Sequence, residues 1–93
     1  MIKIIYEKQF KKDYKRALKR GLTENDFRNV LGLLIKEEIL PKKYHDHKLN
    51  DSNRYYGCRE CHIKADWLLV YRLNKEELIL YLVATGSHSD LFK

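Results

Sequence analysis

Four imidazoles, one aspartate and a surplus of cations carry the chemistry open to this sequence. His45, His47, His62 and His88 all follow the two segments that read as helices, in stretches that read as loops or strand ends. Such positions are where a rigid scaffold presents reactive groups. Imidazole titrates near neutrality, so it can give or take a proton at cellular pH. With Asp66 and a net charge of +6, the set suits metal-free RNA cleavage. In that reaction a base removes the ribose 2′-OH proton, an acid protonates the leaving 5′-oxygen, and cations stabilise the phosphorane. Spacing alone does not bring these groups together, and a histidine taken singly is more often a partly exposed surface residue.

Two metal or cofactor readings compete. Cys58-Arg59-Glu60-Cys61-His62 matches C-x-x-C-H, a haem-attachment pattern. Attachment of that kind goes with export, yet no signal sequence is present, the only methionine is the first residue, and the motif lies within a strand pattern. Zinc is the better rival, with Cys58, His62, His45 and His47 as available ligands. No second paired-ligand motif supports it, so neither metal nor cofactor is expected. The two cysteines are expected as free thiols, because side chains three apart in a regular strand point to opposite faces.

The elements that must position these groups follow from periodicity. Tyr56 to Tyr71 reads as strand, turn, strand. Cys58, Glu60 and His62 alternate with Arg59, Cys61 and Ile63, and Trp67-Leu68-Leu69-Val70-Tyr71 is apolar enough for a central strand covered on both faces. Upstream, Met1 to Tyr6 reads as a strand and Glu7 to Arg20 as a helix with Phe10, Tyr14, Ala17 and Leu18 on its core stripe. Gly21 is a C-cap and Thr23 the N-cap of a second helix, whose stripe is Phe27, Val30, Leu31, Leu34 and Ile35. Pro41 ends the helical region, and a polar loop runs to Arg54 with a brief extended piece at His47 to Leu49. After a turn at Asn74 to Glu76 comes a strand from Leu78 to Ala84. Gly86 breaks it, and Ser87 to Phe92 forms a tail or single helical turn. The result is one domain over residues 1–93, an α+β fold in βααβββ order. It has a helical hairpin packed on a twisted antiparallel sheet.

Charge is unevenly shared. Residues 1–48 hold 13 Lys and Arg against 7 Asp and Glu, while residues 49–93 hold 6 of each. Lys8, Lys12, Lys15 and Lys19 run down one side of the first helix. They are either a solvated face or a contact for RNA or an acidic protein segment. The chain has no apolar run long enough to span a bilayer and no signal peptide, so a soluble, cytoplasmic protein is expected.

Three blocks in order carry a family likeness. Asp46-His47-Lys48-Leu49, then Arg59-Glu60-Cys61-His62-Ile63 with Asp66-Trp67-Leu68-Leu69-Val70-Tyr71, and Thr85-Gly86-Ser87-His88-Ser89-Asp90-Leu91-Phe92 resemble the YafQ-type toxins of the RelE/ParE superfamily. The resemblance implies a ribosome-dependent mRNA endonuclease that needs no metal and is silenced by a cognate antitoxin with an acidic segment. It places His47, His62, Asp66, His88 and Phe92 at catalytic positions, and Lys48 and Arg59 join the lysine stripe as RNA contacts. Trp67 falls in the motif but reads as packing, and alternation sets Arg59 opposite His62 unless a bulge intervenes. Two departures stand out: Ala84 replaces an arginine common before Thr-Gly in relatives, and the loop from Asn50 to Tyr56 lacks their Leu-x-Gly start. A ParE-like, non-catalytic inhibitor of DNA gyrase is the alternative, and the retained histidines and aspartate speak for the nuclease.

Overall fold

The computed structural model describes residues 2–37, 39–49 and 54–92. Among the described residues, nine short elements follow one another: β1 (Lys3–Tyr6), α1 (Lys8–Lys19), α2 (Glu24–Ile35), a 3-10 turn (Lys42–Tyr44), β2 (His47–Lys48), β3 (Arg59–Lys64), β4 (Trp67–Asn74), β5 (Ile79–Gly86) and α3 (His88–Leu91). The helices form where their stripes require. Phe10 and Ala17 of α1 and Phe27, Val30 and Leu34 of α2 are buried, and Phe27 meets both Phe10 (5.7 Å) and Tyr14 (4.9 Å). Leu18 and Ile35, expected on those stripes, lie at their edges and remain exposed. Gly21 takes φ +92°, the left-handed conformation that stops a helix without Cβ strain. Thr23 caps α2 by accepting the Asp26 N–H at 3.3 Å, a contribution of about 1 kcal/mol. Asp26 in turn pairs with Lys64 at 3.0 Å and ties α2 to the end of β3.

The sheet order is β1-β5-β4-β3-β2. The antiparallel arrangement expected from the sequence holds from β2 through β5, but β1 lies parallel to β5, so the sheet is mixed. Alternation identifies a strand without naming its partner, and the long path between β1 and β5 supplies the crossover that a parallel pair needs. β4 is the buried centre: Trp67 to Tyr71 are all buried. One face packs Cys61, Ile63, Trp67, Leu69 and Tyr71 under the helices. The other packs Cys58, Leu68, Val70 and Ala84 under Leu49, Tyr55 and Leu91. Asn50 to Asn53, part of the loop expected to depart from the relatives, lie outside the described residues. Among the described residues, no helix is long and apolar enough to cross a membrane.

Candidate active site

Period two in β3 decides which side chains meet. Cys61 and Ile63 enter the helix-side core, so Glu60 and His62 emerge on the opposite face. The irregularity in this hairpin falls between His62 and Lys64, beyond the span from Arg59 to His62. Arg59 therefore stays opposite His62. Its guanidinium donates to Asp46 (Nη2 to Oδ2, 2.8 Å), and Asp46 also accepts the Tyr71 hydroxyl. That buried-edge network pins the loop just ahead of His47. Lys48 is exposed beside Arg59 on β2, across from it in register.

On the reactive face, β2 sets His47 opposite Glu60. The Glu60 carboxylate, 4% exposed, lies 3.6 Å from His47 Nε2 and 3.5 Å from His62 Nε2. His47 Nδ1 is 2.7 Å from the His45 carbonyl, which fixes it as the protonated nitrogen and leaves Nε2 towards Glu60. His45, a candidate zinc ligand in the sequence but at no family functional position, holds its ring 5.0 Å from His62 with its backbone left-handed at φ 49°. Burial pushes the His62 pKa below its ordinary value, and the neighbouring imidazoles of His45, His88 and His47 act in the same direction against the pull of Glu60.

The remaining groups arrive from the β3–β4 turn and from beyond the C-terminal end of β5. Asp66, in the β3–β4 turn, accepts from the His88 backbone N–H at 3.1 Å and faces His88 Nδ1 at 3.0 Å. These two bonds hold the Asp66 carboxyl below the usual carboxylate range. They also make Nδ1 the donor and leave His88 Nε2 free for a substrate. The His88 ring sits 5.6 Å from His62 and 6.3 Å from Phe92. Four of the expected catalytic side chains, His47, His62, Asp66 and His88, thus gather with Phe92 at one end of the sheet. Trp67 is buried and donates its indole N–H to Thr85 Oγ1 at 2.9 Å, a packing role.

The stripe of Lys8, Lys12, Lys15 and Lys19 is exposed on α1, in the layer that covers the other face of the sheet. Besides Asp46, two residues with no role in the sequence reading support the site. Glu60 had a legible signal, lying two residues before His62 on the same strand face. Asp13, buried in α1, accepts the Thr85 N–H at 3.1 Å and steadies the strand end that leads to His88; no local pattern marks it. As for metals, the described residues whose ligand atoms converge within 4.8 Å are Glu60, His62 and His88. Cys58, His45 and His47 are not in that group, and both cysteines are free, buried thiols. Imidazole and carboxylate donors of this kind suit zinc or copper.

The family model of YafQ, bacterial toxin of type II toxin–antitoxin systems, matches residues 2–93. The chain belongs to the YafQ family. Over 90 residues it is 39% identical to the mRNA interferase toxin YafQ of Escherichia coli (strain B / BL21-DE3), covering 96% of this chain and 94% of that one. The crystal structure of the E. coli DinJ-YafQ complex superposes with TM-score 0.88 at 37% identity, covering all of both chains. A metal-bound toxin from Helicobacter pylori gives TM-score 0.89 at 43% identity, over 99% of this chain and all of that one. Ala84 is 1% exposed and packed with Tyr55 and Leu91, so β5 contributes no cation to this face at that position.

Proposed function

We propose that this YafQ-family chain is an mRNA interferase that cleaves on the ribosome by 2′-OH attack, with protein side chains as acid and base. The observation that carries the reading is the convergence of His62 and His88 beside buried Glu60, with Asp66 fixing the His88 tautomer. Proton transfer from the 2′-OH to a base lets the 2′-oxygen bond to phosphorus. The P–O5′ bond then breaks, the 5′-oxygen takes a proton from the acid, and a 2′,3′-cyclic phosphate and a 5′-hydroxyl remain. His88 Nε2, the nitrogen not held by Asp66, is one proton-transfer atom. His62, whose lowered pKa favours the neutral form, suits the accepting role. His47 lies across Glu60 to position the strand, and Phe92, 38% exposed, offers a ring to a base.

The acid–base set accounts for the reaction without a metal, and a cation held by Glu60, His62 and His88 would occupy the nitrogens that move protons. The DinJ complex of the E. coli relative supports a cognate antitoxin as the partner here. The test is single-turnover cleavage of an mRNA on programmed ribosomes with and without chelator. Cleavage should survive chelation and fall about 10²- to 10⁴-fold in His88→Ala, the usual worth of a general acid or base. Growth arrest with intact mRNA and impaired gyrase would replace this reading with that of a gyrase inhibitor.

A further inference from the structure

The reactive face continues beyond the histidines as a row of rings. His62 and His88 are 5.6 Å apart, His88 and Phe92 6.3 Å, and Phe92 meets Tyr55 edge to face at 5.8 Å. Arg54 closes the row, with Cζ 5.2 Å from the centre of the Tyr55 ring. Tyr55 is buried, whereas Phe92 and Arg54 are exposed. A fixed ring thus supports both an exposed ring and an exposed guanidinium. The cation–π contact orders the guanidinium before any ligand arrives.

Other arginines near the site are committed elsewhere. Arg59 is on the opposite face, bound to Asp46, and Arg20 is held by Asp90 at 2.6 Å. Ala84, packed with Tyr55, offers no charge. Single-stranded RNA is held by aromatic faces for its bases and cations for its phosphates, and a guanidinium can take two phosphate oxygens at once. We propose that Arg54 is a substrate-binding residue, taking a backbone phosphate next to the nucleotide whose base stacks on Phe92. The assignment rests on the nuclease reading given above.

The experiment is single-turnover mRNA cleavage on programmed ribosomes across a range of protein concentration and salt, for wild type, Arg54→Ala and Arg54→Lys. Cleavage by the wild type establishes the nuclease itself. Arg54→Ala should then raise the half-saturating concentration roughly tenfold, as loss of a charge-assisted hydrogen bond does, with the maximal rate within a few-fold of wild type. Its log–log salt dependence should flatten by about 0.7, the share of one single-strand phosphate. Arg54→Lys should restore the salt slope and part of the affinity. A wild-type half-saturating concentration and slope in Arg54→Ala would overturn this assignment and leave the nuclease standing. Weaker binding at an unchanged salt slope would also overturn it, making Arg54 a prop for Tyr55. No cleavage by the wild type would remove both readings together.

Discussion

His62 and His88 are the same residue type 5.6 Å apart, yet their surroundings ask different things of them. His88 is exposed and oriented by Asp66, while His62 is half-buried, ringed by imidazoles and steadied by Glu60. The Glu60 carboxylate is the one group among these that raises the His62 pKa; burial and the other histidines lower it. Glu60→Gln should therefore drop that pKa further and move the acid limb of the pH–rate profile to lower pH. The maximal rate should fall as well if the carboxylate orders His62. A profile of log rate from pH 5 to 8 reads both, and an unmoved limb would detach Glu60 from the titration. The sign for stability is the same in kind. A histidine with a lowered folded pKa binds its proton more readily when unfolded, so its cost is absent above about pH 6.5 and grows as pH falls below that value. Of this site, the histidines, Asp66 and Phe92 were legible because residue type and motif order mark them. Asp13 and Asp46 were not, since their partners lie 72 and 25 residues away, on Thr85 and Tyr71.

At the scale of elements, α3 carries His88 but has only four residues, too few to hold a helical turn in isolation. Its order comes from tethers. Ser87 and Asp90 form a reciprocal capping box, and Arg20 at the end of α1 donates to Asp90 at 2.6 Å with Arg16 behind it at 3.9 Å. Those bonds hold the Asp90 carboxyl well below the usual carboxylate range. Its stabilising share is therefore complete above about pH 4 and is lost as pH falls from there towards its folded value. Gly86 completes the arrangement: at φ +156° a Cβ would stand 2.9 Å from the Asp90 side chain. Arg20→Ala should leave the fold intact and slow single-turnover cleavage roughly tenfold, because a misplaced reacting group costs up to about 10²-fold per ångström. Arg20→Lys should recover part of that rate, and half-saturation should stay unchanged in both. A rate loss matched by a collapsed thermal transition would make the pair a general fold support instead. Sequence periodicity locates this last strand but ends it at Ala84 with Gly86 as a breaker, whereas β5 runs through Gly86, paired with Leu68. The short helical turn expected after it is α3. The strand pairing of β1 and the clamp from residue 20 to residue 90 are non-local, and no periodicity encodes them.

Across the whole molecule the charge is layered. The histidines, Phe92 and Arg54 belong to one side of the sheet, while Lys8, Lys12, Lys15 and Lys19 lie exposed on a helix covering the other side. The stripe points away from the core stripe of that helix and none of its lysines contacts a described histidine, so under the nuclease reading it has no part in proton transfer. What it can do is add long-range attraction for a polyanion, whether ribosomal RNA or the acidic segment of an antitoxin. The four-site Lys→Glu variant should therefore cleave bound mRNA at nearly the wild-type maximal rate, yet require more protein to reach it. Its association should also lose salt sensitivity, because fewer counterions are released when fewer phosphates are neutralised. Titrating ribosomes at several salt concentrations separates the two effects, and the same titration with purified antitoxin shows which anion the stripe serves. Unchanged affinity and slope for both partners would return the stripe to a solubilising role; a large fall in maximal rate at saturation would instead place it in the catalytic contact.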